Sequence, residues 1–318
     1  MNEISKRKSE IEEVNAGLEV GYTNHLFIVQ ALFPYKKTDE KSISYGRGSN
    51  VVTLASPLGV PFGRYVRYIM AYITTQAFKR AKDLQAGIIA SEEEARTIPL
   101  GNTFNDFLRA IGINEKRHLD SRTIKLVKEQ LERISALTID VRKRFNTNEM
   151  KIQAKTLKVF SEIDWYYSHK QHIEQGQLFE PYIKLDLEFF HEIAQSGVPF
   201  DLNILKELSS PVAMDVYLWA TYSVVTQSQY GGVRASWEQL KEIYGQQYAN
   251  TPEGMRNFRK KFKNVLVQVS ARWDSFTYQI TNDGIYLPPQ APSIAPTNMH
   301  TEDIKIIKDS PLGKSLEK

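Results

Sequence analysis

The stretch Met255–Trp273, MRNFRKKFKNVLVQVSARW, decides the fold that this sequence predicts. On a helix of 3.6 residues per turn, its large apolar residues fall on one stripe and its cations fall on the opposite side. The stripe consists of Met255, Phe258, Phe262, Val265, Leu266, Val269 and Trp273, and the opposite side carries Arg256, Arg259, Lys260 and Lys263. The stretch is therefore predicted to be an amphipathic helix with a basic face.

Basic charge is concentrated on this helix rather than spread over the chain. Residues 251–272 contain six Lys or Arg and one Glu, a local balance of +5, whereas all 318 residues together carry +4. A solvated helix face with excess cations is the ordinary interpretation of such a charge run. The sequence on either side of the helix favours a more specific one.

The flanking residues indicate where the basic helix begins and what surrounds it. Thr251 is a suitable N-cap, and Pro252 occupies the first helical position. Upstream, Trp237–Tyr244 is a short predicted helix that ends at Gly245. Downstream, Asn282-Asp283-Gly284 is a tight-turn signal between two β-capable segments. This order is typical of a winged helix, whose second helix enters the DNA major groove while the hairpin reaches the backbone.

We therefore expect the basic helix to bind DNA. Phosphate contacts from Lys and Arg would position the protein, and one or two side chains would read base edges. Arg to guanine and Asn to adenine are the natural pairings. The candidate residues are Arg256, Asn257, Arg259, Lys260, Lys261 and Lys263.

Composition describes a soluble globular protein, with 42% apolar and 25% charged residues. The sequence has no cysteine, which excludes disulfides and thiolate metal sites and suits a reducing cytoplasm. The charged N-terminal stretch lacks the apolar core of a signal peptide. The most apolar windows, Tyr65–Phe78 and Val212–Val225, are too short and too polar to span a bilayer. A cytoplasmic protein without a membrane partner is expected.

The predicted elements divide the chain into two domains of the same plan. Residues 22–195 and residues 196–288 each read as helices followed by a β-hairpin, so the fold class is predicted to be α+β with two tandem winged-helix domains. Gly197 and Pro199 interrupt the pattern at the boundary. Residues 1–21 are predicted to be a flexible segment, as are residues 289–318, which contain few large apolar side chains.

Three local features of the first predicted domain are specific enough to compare with a structure. Asn102 is expected to cap a helix at Thr103–Ile111, and Ser121 is expected to cap a helix at Arg122–Ala136. The run Tyr182–Phe189 is expected to be a strand.

The helix Arg122–Ala136 is a weaker candidate for DNA contact than the basic helix. Its polar face mixes cations with Glu129 and Glu132, and such a balance suits a solvated or protein-contacting face. The alternative is contact with phosphates through Arg117, Arg122, Lys125 and Lys128. Affinity is expected to rest mainly on the second domain.

The sequence offers little catalytic or cofactor chemistry. It contains no Gly-x-x-x-x-Gly-Lys-Ser/Thr loop, which disfavours an ATPase of that class. His169 and His172 form a close pair, but no closed metal ligand set accompanies them. A strand-nicking initiator would need a His-apolar-His pair, which is absent, and Tyr166 and Tyr167 are ordinary residues at the end of a strand. We therefore predict no enzymatic activity, no metal and no cofactor.

Four stretches, in order along the chain, carry a family resemblance. They are Gly59–Gly63 with Arg67 and Ala71–Ala77; Gly101-Asn102 with Phe107-Leu108-Arg109 and Gly112; Val198–Asp201 with Ser210-Pro211 and Met214–Tyr222; and Ser236-Trp237 with Leu240, Tyr244-Gly245 and Phe258–Phe262. In these residues the chain resembles plasmid-encoded replication initiators of the RepA type, which have tandem winged-helix domains.

The resemblance implies a protein that binds direct repeats in double-stranded plasmid origin DNA, helps to open the duplex, and recruits host replication proteins such as the initiator or helicase. It also implies that the first domain can form a homodimer, that the second reads the repeat, and that dimers repress their own gene. Arg256, Arg259, Lys260 and Lys263 carry over to the helix expected in the groove. Residues before 22 and after 290 match nothing in the family pattern.

Three alternatives stay open at this level. The first is a winged-helix transcriptional repressor with no role in replication. The second is a strand-nicking initiator, and the third is a protein-interaction scaffold that uses the first domain. The repeat sequence and the number of copies on DNA cannot be read from the sequence.

Overall fold

The computed structural model describes residues 19–24, 31–47, 50–101, 103–113, 120–146, 150–165, 181–195, 197–227 and 231–294. The chain forms two compact units. The central unit is Leu32–Gly197, and the terminal unit combines Met1–Ala31 with Val198–Lys318. Of the segments predicted to be flexible, residues 1–18 and 295–318 lie outside the described residues.

Both units mix helices and strands, in agreement with the predicted α+β class. In chain order the described elements are β1 (Val20–Asn24), β2 (Ser42–Arg47), β3 (Asn50–Ala55), α1 (Gly63–Gln85), α2 (Glu92–Arg96), β4 (Thr97–Pro99), α3 (Phe104–Ala110), α4 (Ser121–Ser135), β5 (Thr138–Asn146), β6 (Met150–Lys158), β7 (Phe160–Asp164), β8 (Tyr182–Leu185), α5 (Leu187–Gln195), β9 (Gly197–Asp201), α6 (Leu202–Glu207), α7 (Pro211–Gln227), β10 (Val233–Ser236), α8 (Trp237–Tyr244), α9 (Pro252–Ser270), β11 (Gln279–Ile280) and β12 (Gly284–Leu287).

The central unit contains two antiparallel sheets and the long helix α1. One sheet has the strand order β2-β3-β5-β6, and the other has the order β4-β8-β7. Helix α1 buries Val66, Ile69 and Ile73 completely, with Ala77 one turn further on. These residues recur every three or four positions, so one face of α1 supplies the core.

Two buried arginines fix the loop that leads into α1. Arg67 donates to the backbone carbonyl oxygens of Gly63 and Phe33, each at 2.7 Å. Arg133 donates to the carbonyl oxygen of Val60 at 2.9 Å. Gly59 has φ +91°, and a Cβ there would lie 2.6 Å from the Arg133 guanidinium. Glycine is therefore required where the loop passes this side chain.

The helix caps of the central unit differ from the expected ones by one residue. Helix α3 is capped by Thr103, whose side chain accepts a hydrogen bond from the Asp106 N–H in a capping box. Helix α4 is capped by Asp120, whose Oδ1 accepts from the Thr123 N–H at 2.6 Å. The predicted capping role of Ser121 is therefore wrong, since Ser121 is the first helical residue, while Asn102 lies outside the described residues.

The predicted strand Tyr182–Phe189 is only half correct. Strand β8 ends at Leu185, and α5 begins at Leu187. The Asp186 carbonyl oxygen accepts the Phe190 N–H at 2.9 Å, which turns the chain into a helix. Phe190 and Ile193, which are three residues apart, are then buried on one side of α5.

The terminal unit is built around α7. This helix is buried on nearly all sides, including Tyr217 and Tyr222. Strands β1 and β9 form a two-stranded sheet, and β10-β12-β11 form an antiparallel three-stranded sheet. Ordered contacts continue to Ile294, which is buried, and the Ser293 hydroxyl lies 2.9 Å from the Tyr217 hydroxyl.

Candidate nucleic-acid interface

Helix α9 begins where its sequence indicates. The Thr251 side chain accepts a hydrogen bond from the Gly254 N–H at 3.1 Å, and Pro252 is the first helical residue. A Cβ at Gly254 would lie 2.1 Å from the Ala249 carbonyl oxygen, so glycine lets the preceding turn approach the helix closely. The predicted cap of the basic helix is confirmed.

The apolar stripe of α9 forms part of the core of the terminal unit. The buried members are Phe258, Phe262, Val265, Leu266 and Val269, and Trp273 is buried just after the helix. The Phe262 ring packs edge-on against Trp237 at 6.3 Å between ring centroids and also contacts Tyr244. Packing against α8 therefore fixes which side of α9 faces solvent.

The opposite face of α9 is cationic and accessible. Arg256, Lys260, Lys261 and Lys263 are exposed, as is the neighbouring Asn257. Arg259 is half-buried, with 38% of its side chain exposed. A shallow groove of about 540 Å³ is lined by Pro252, Met255, Arg256, Arg259, Lys260 and Lys263. The groove thus brings together four of the six candidate residues on this helix, and Asn257 and Lys261 are exposed outside its lining.

The indole of Trp237 lies beneath two of these cations. The Arg259 guanidinium carbon is 5.4 Å from the ring centroid, and Lys263 Nζ is 5.9 Å from it. Such cation–π contacts are favourable and hold the cations over the ring face. No local pattern predicts this arrangement, because Trp237 precedes Arg259 by 22 positions and belongs to another helix.

Two carboxylates lie near the cationic face without neutralising it. Glu238 Oε1 is 3.8 Å from Arg259 Nη2, and Glu253 Oε1 is 3.5 Å from Arg256 Nη2. The side chains of both glutamates are at least 70% exposed. Ion pairs between exposed groups are weak and screened by salt, so a phosphate can replace either carboxylate at little cost.

The turn between α8 and α9 is held by a part-buried lysine. Lys241 Nζ donates to Asn250 Oδ1 at 2.6 Å. The Tyr248 ring packs on Phe258, with 5.8 Å between ring centroids. The two helices are therefore joined by a fixed turn rather than by a loose loop.

A β-hairpin follows α9 and contacts the start of α8. Strands β11 and β12 pair antiparallel around the predicted turn, with Ile280 opposite Ile285. The backbone N–H of Trp237 donates to the Asp283 carbonyl oxygen at 2.9 Å. A Cβ at Gly284 would lie 2.0 Å from the Ala235 carbonyl oxygen. The hairpin therefore sits closely against the first residue of α8.

The sequence does not predict strand β10. It pairs with β12 from Val233 opposite Leu287 to Ser236 opposite Gly284. The only local signal is the short run Val233–Ser236 after the turn at Gly231-Gly232. The strand completes a three-stranded sheet that leads directly into α8.

The central unit carries a second, mixed-charge face on α4. Arg122 and Lys125 are exposed, and Lys128 Nζ lies 5.2 Å from the Phe104 ring centroid. A groove of about 670 Å³ is lined by Lys37, Ser121, Ile124, Lys125, Lys128, Glu129 and Glu132. Lys37 pairs with Glu129 at 2.9 Å. Among the predicted phosphate contacts, Arg117 lies outside the described residues.

Within the part of the chain that the structure describes, no membrane span and no metal site is found. No described helix is long and apolar enough to cross a membrane. The described residues contain no group of three or more His, Cys, Asp or Glu that could hold a metal ion. The pair His169 and His172 lies outside the described residues, as do Tyr166 and Tyr167.

Comparison with known proteins gives a match to a family model and likenesses to solved structures. A family model described as "Plasmid encoded RepA protein" matches residues 60–239. The match covers more than half of the chain and ends before α9. No curated protein matches the sequence significantly.

Two of the similar solved structures contain domains 2 and 3 of RctB. A crystal structure of selenomethionine derivatives of these domains has a TM-score of 0.53 and 10% sequence identity, and the likeness covers 84% of this chain and 97% of that chain. A second crystal structure of domains 2–3 has a TM-score of 0.51 and 10% identity, with coverage of 83% and 96%. At this identity the likeness concerns the fold alone.

Proposed function

Because this chain belongs to the family of plasmid-encoded RepA proteins, which are plasmid replication proteins, we propose that it initiates replication by binding repeated sites in origin DNA through α9. The family supports the initiator role as a whole. The assignment of DNA reading to α9 is our own, since the family match ends at residue 239.

The single observation that carries the assignment is the amphipathic character of α9. One face is buried in the core through Phe258 and Phe262, and the other exposes Arg256, Lys260 and Lys263. Cations held on a rigid helix can neutralise phosphates and release counterions, which is the main source of non-specific affinity. The major groove, about 12 Å wide, admits an α-helix.

The surrounding elements support a winged-helix arrangement in the terminal unit. Strand β10, helix α8, the fixed turn, helix α9 and the β11–β12 hairpin follow one another in the order of that motif. In it the second helix enters the major groove and the hairpin reaches the adjacent backbone. Arg256 and Asn257, near the N-terminal end of α9, would reach base edges, and the lysines would reach phosphates.

The α4 face of the central unit would play an accessory role. Arg122, Lys125 and Lys128 can contact phosphates, but Glu129 and Glu132 share the groove and limit its net charge. We assign to this unit accessory DNA contact and dimer formation, and to the dimer repression of the protein's own gene. Dimer formation and repression follow from the family resemblance, whereas the accessory DNA contact follows from the cations on α4.

Initiation in this proposal uses binding free energy and needs no catalytic step or cofactor of the protein's own. Several copies bound at direct repeats, with bending of the DNA, would lower the cost of melting an adjacent AT-rich segment. Host replication proteins in the cytoplasm would then load onto the opened strands.

The decisive experiment is footprinting of the purified full chain on the DNA that flanks its own gene. Protection of an array of direct repeats is the expected result. Lys263→Ala should weaken binding to that array, because one phosphate contact is lost. Absence of any protected repeat, or unchanged affinity of the Lys263→Ala variant in gel shifts, would contradict the proposal.

A further inference from the structure

One apolar side chain stands out on the cationic face of α9. Val267 is 58% exposed, whereas the valines on either side of it along the helix, Val265 and Val269, are completely buried. Val267 follows Lys260 by seven residues, so the two lie within about 20° of the same line along the helix. Both therefore point away from the core, on the side opposite Phe258.

Val267 has no evident role in folding. A β-branched residue is a poorer helix former than Ala, Leu or Lys, and an exposed one buries little apolar area. A single exposed apolar residue is common on protein surfaces and by itself indicates nothing. Val267 is distinguished by its position. It lies one turn beyond Lys263 and Asn264, on the face of α9 that carries the charged side chains.

The chemistry of the major groove suggests what such a residue would meet. Among the groups that base pairs present there, the C5-methyl of thymine is the apolar one, and small apolar side chains are its usual partners. Four residues of helix advance about 6 Å, which is close to two base-pair steps of about 3.4 Å. A phosphate or base contact by Lys263 would thus bring Val267 over a base edge further along the groove.

We propose that Val267 is a specificity-determining residue that packs on the methyl group of one thymine in each origin repeat. This inference rests on the proposed binding of α9 in the major groove and adds the identity of one group that it reads. The expected partner of this face is DNA, because Arg256, Lys260 and Lys263 give the face a positive charge that complements the phosphates.

The test uses the full chain and a single repeat defined by footprinting. A series of duplexes replaces each thymine in turn by deoxyuridine, which removes only the methyl group. The wild-type protein should lose about three- to fivefold in affinity at one position, as expected for one buried methyl group. Val267→Ala should bind the unmodified repeat more weakly by a similar factor and should show no further loss with deoxyuridine at that position.

A matched control separates this effect from general damage. Ile88→Ala truncates an aliphatic side chain that is 75% exposed on the central unit. It should leave both the affinity and the deoxyuridine pattern unchanged. Circular dichroism melting of all three proteins should give the same helix content and similar midpoints.

The outcomes distinguish the inference from the proposal beneath it. If the wild type protects no repeat, the proposed function fails and the inference fails with it. If the wild type binds the repeat but Val267→Ala binds equally well, or keeps the full deoxyuridine sensitivity, only the inference is overturned.

Discussion

The guanidinium of Arg259 lies over the indole of Trp237, 5.4 Å from the ring centroid. Trp237 is almost completely buried and is the first residue of α8. A core side chain of one helix therefore fixes the position of a cation on the next helix. Because the cation is ordered before DNA arrives, less conformational entropy is lost on binding.

The first prediction concerns this ring. Trp237→Leu should lower the free energy of unfolding by about 2–4 kcal/mol, because a large buried side chain is shortened. It should also lower DNA affinity at a temperature where the variant is folded, because Arg259 and Lys263 lose the surface that orients them. Urea denaturation and gel shifts measure the two effects.

Trp237→Phe is the matched variant, since it keeps an aromatic face at the same position. It should retain more of the DNA affinity than Trp237→Leu does. If the folded Trp237→Leu protein binds DNA as tightly as the wild type, the ring does not position the cations.

The second prediction concerns the salt dependence of binding. Lys260→Ala should reduce the slope of log K against log salt concentration by about one, because one phosphate contact is removed. Lys79→Ala, which removes an exposed lysine from α1 of the central unit, should leave the slope unchanged. Equal slopes for the Lys260→Ala variant and the wild type would mean that Lys260 does not touch the DNA backbone.

The third prediction concerns the start of α9. Thr251→Ala should destabilise the terminal unit by about 1 kcal/mol, because the Gly254 N–H loses its side-chain acceptor. Thr251→Ser keeps the hydroxyl and should be close to the wild type. Urea denaturation followed by circular dichroism at 222 nm gives the comparison. A Thr251→Ala protein as stable as the wild type would show that the cap contributes nothing measurable.

The fourth prediction concerns stability at alkaline pH. Burial raises the pKa of Tyr222 to about 12 and also raises the pKa of Tyr217. An unfolded tyrosine ionises near pH 10, so the stabilisation from a buried neutral phenol is complete below pH 10 and is lost as the pH rises towards 12. For Tyr222 this loss amounts to at most about 3 kcal/mol.

Tyr222→Phe removes the ionisable group and nearly preserves the volume of the side chain. Its free energy of unfolding should therefore fall less steeply than that of the wild type between pH 10 and pH 12. Urea denaturation at a series of pH values measures both curves. Parallel curves would mean that Tyr222 does not control the alkaline limit of stability.

Local signals in the sequence were sufficient to predict the basic helix α9. Thr251 and Pro252 mark its start, and the spacing of Phe258, Phe262 and Val269 defines its buried side. Each of these signals acts within a few residues, as helix capping and amphipathicity do. The same locality explains why the exposed cations lie where the pattern placed them.

The features that the sequence did not predict depend on distant partners. Strand β10 is four residues long and is stabilised by pairing with β12, about 50 positions later. Arg259 is half-buried because Trp237, on another helix, lies beneath it. The apolar residues after β8 are predicted to extend the strand, because periodicity cannot separate a short strand from a short helix. In the structure the Asp186 carbonyl oxygen accepts the first hydrogen bond of a helix instead.

The hydrogen bond from the Trp237 N–H to the Asp283 carbonyl oxygen has a mechanical consequence. The tip of the β11–β12 hairpin is attached directly to the residue whose ring supports Arg259 and Lys263. A duplex that presses on the hairpin would shift the indole and, through it, both side chains at once. If α9 binds DNA as proposed, the curvature of the DNA and the orientation of these two cations would be coupled through one hydrogen bond and one ring.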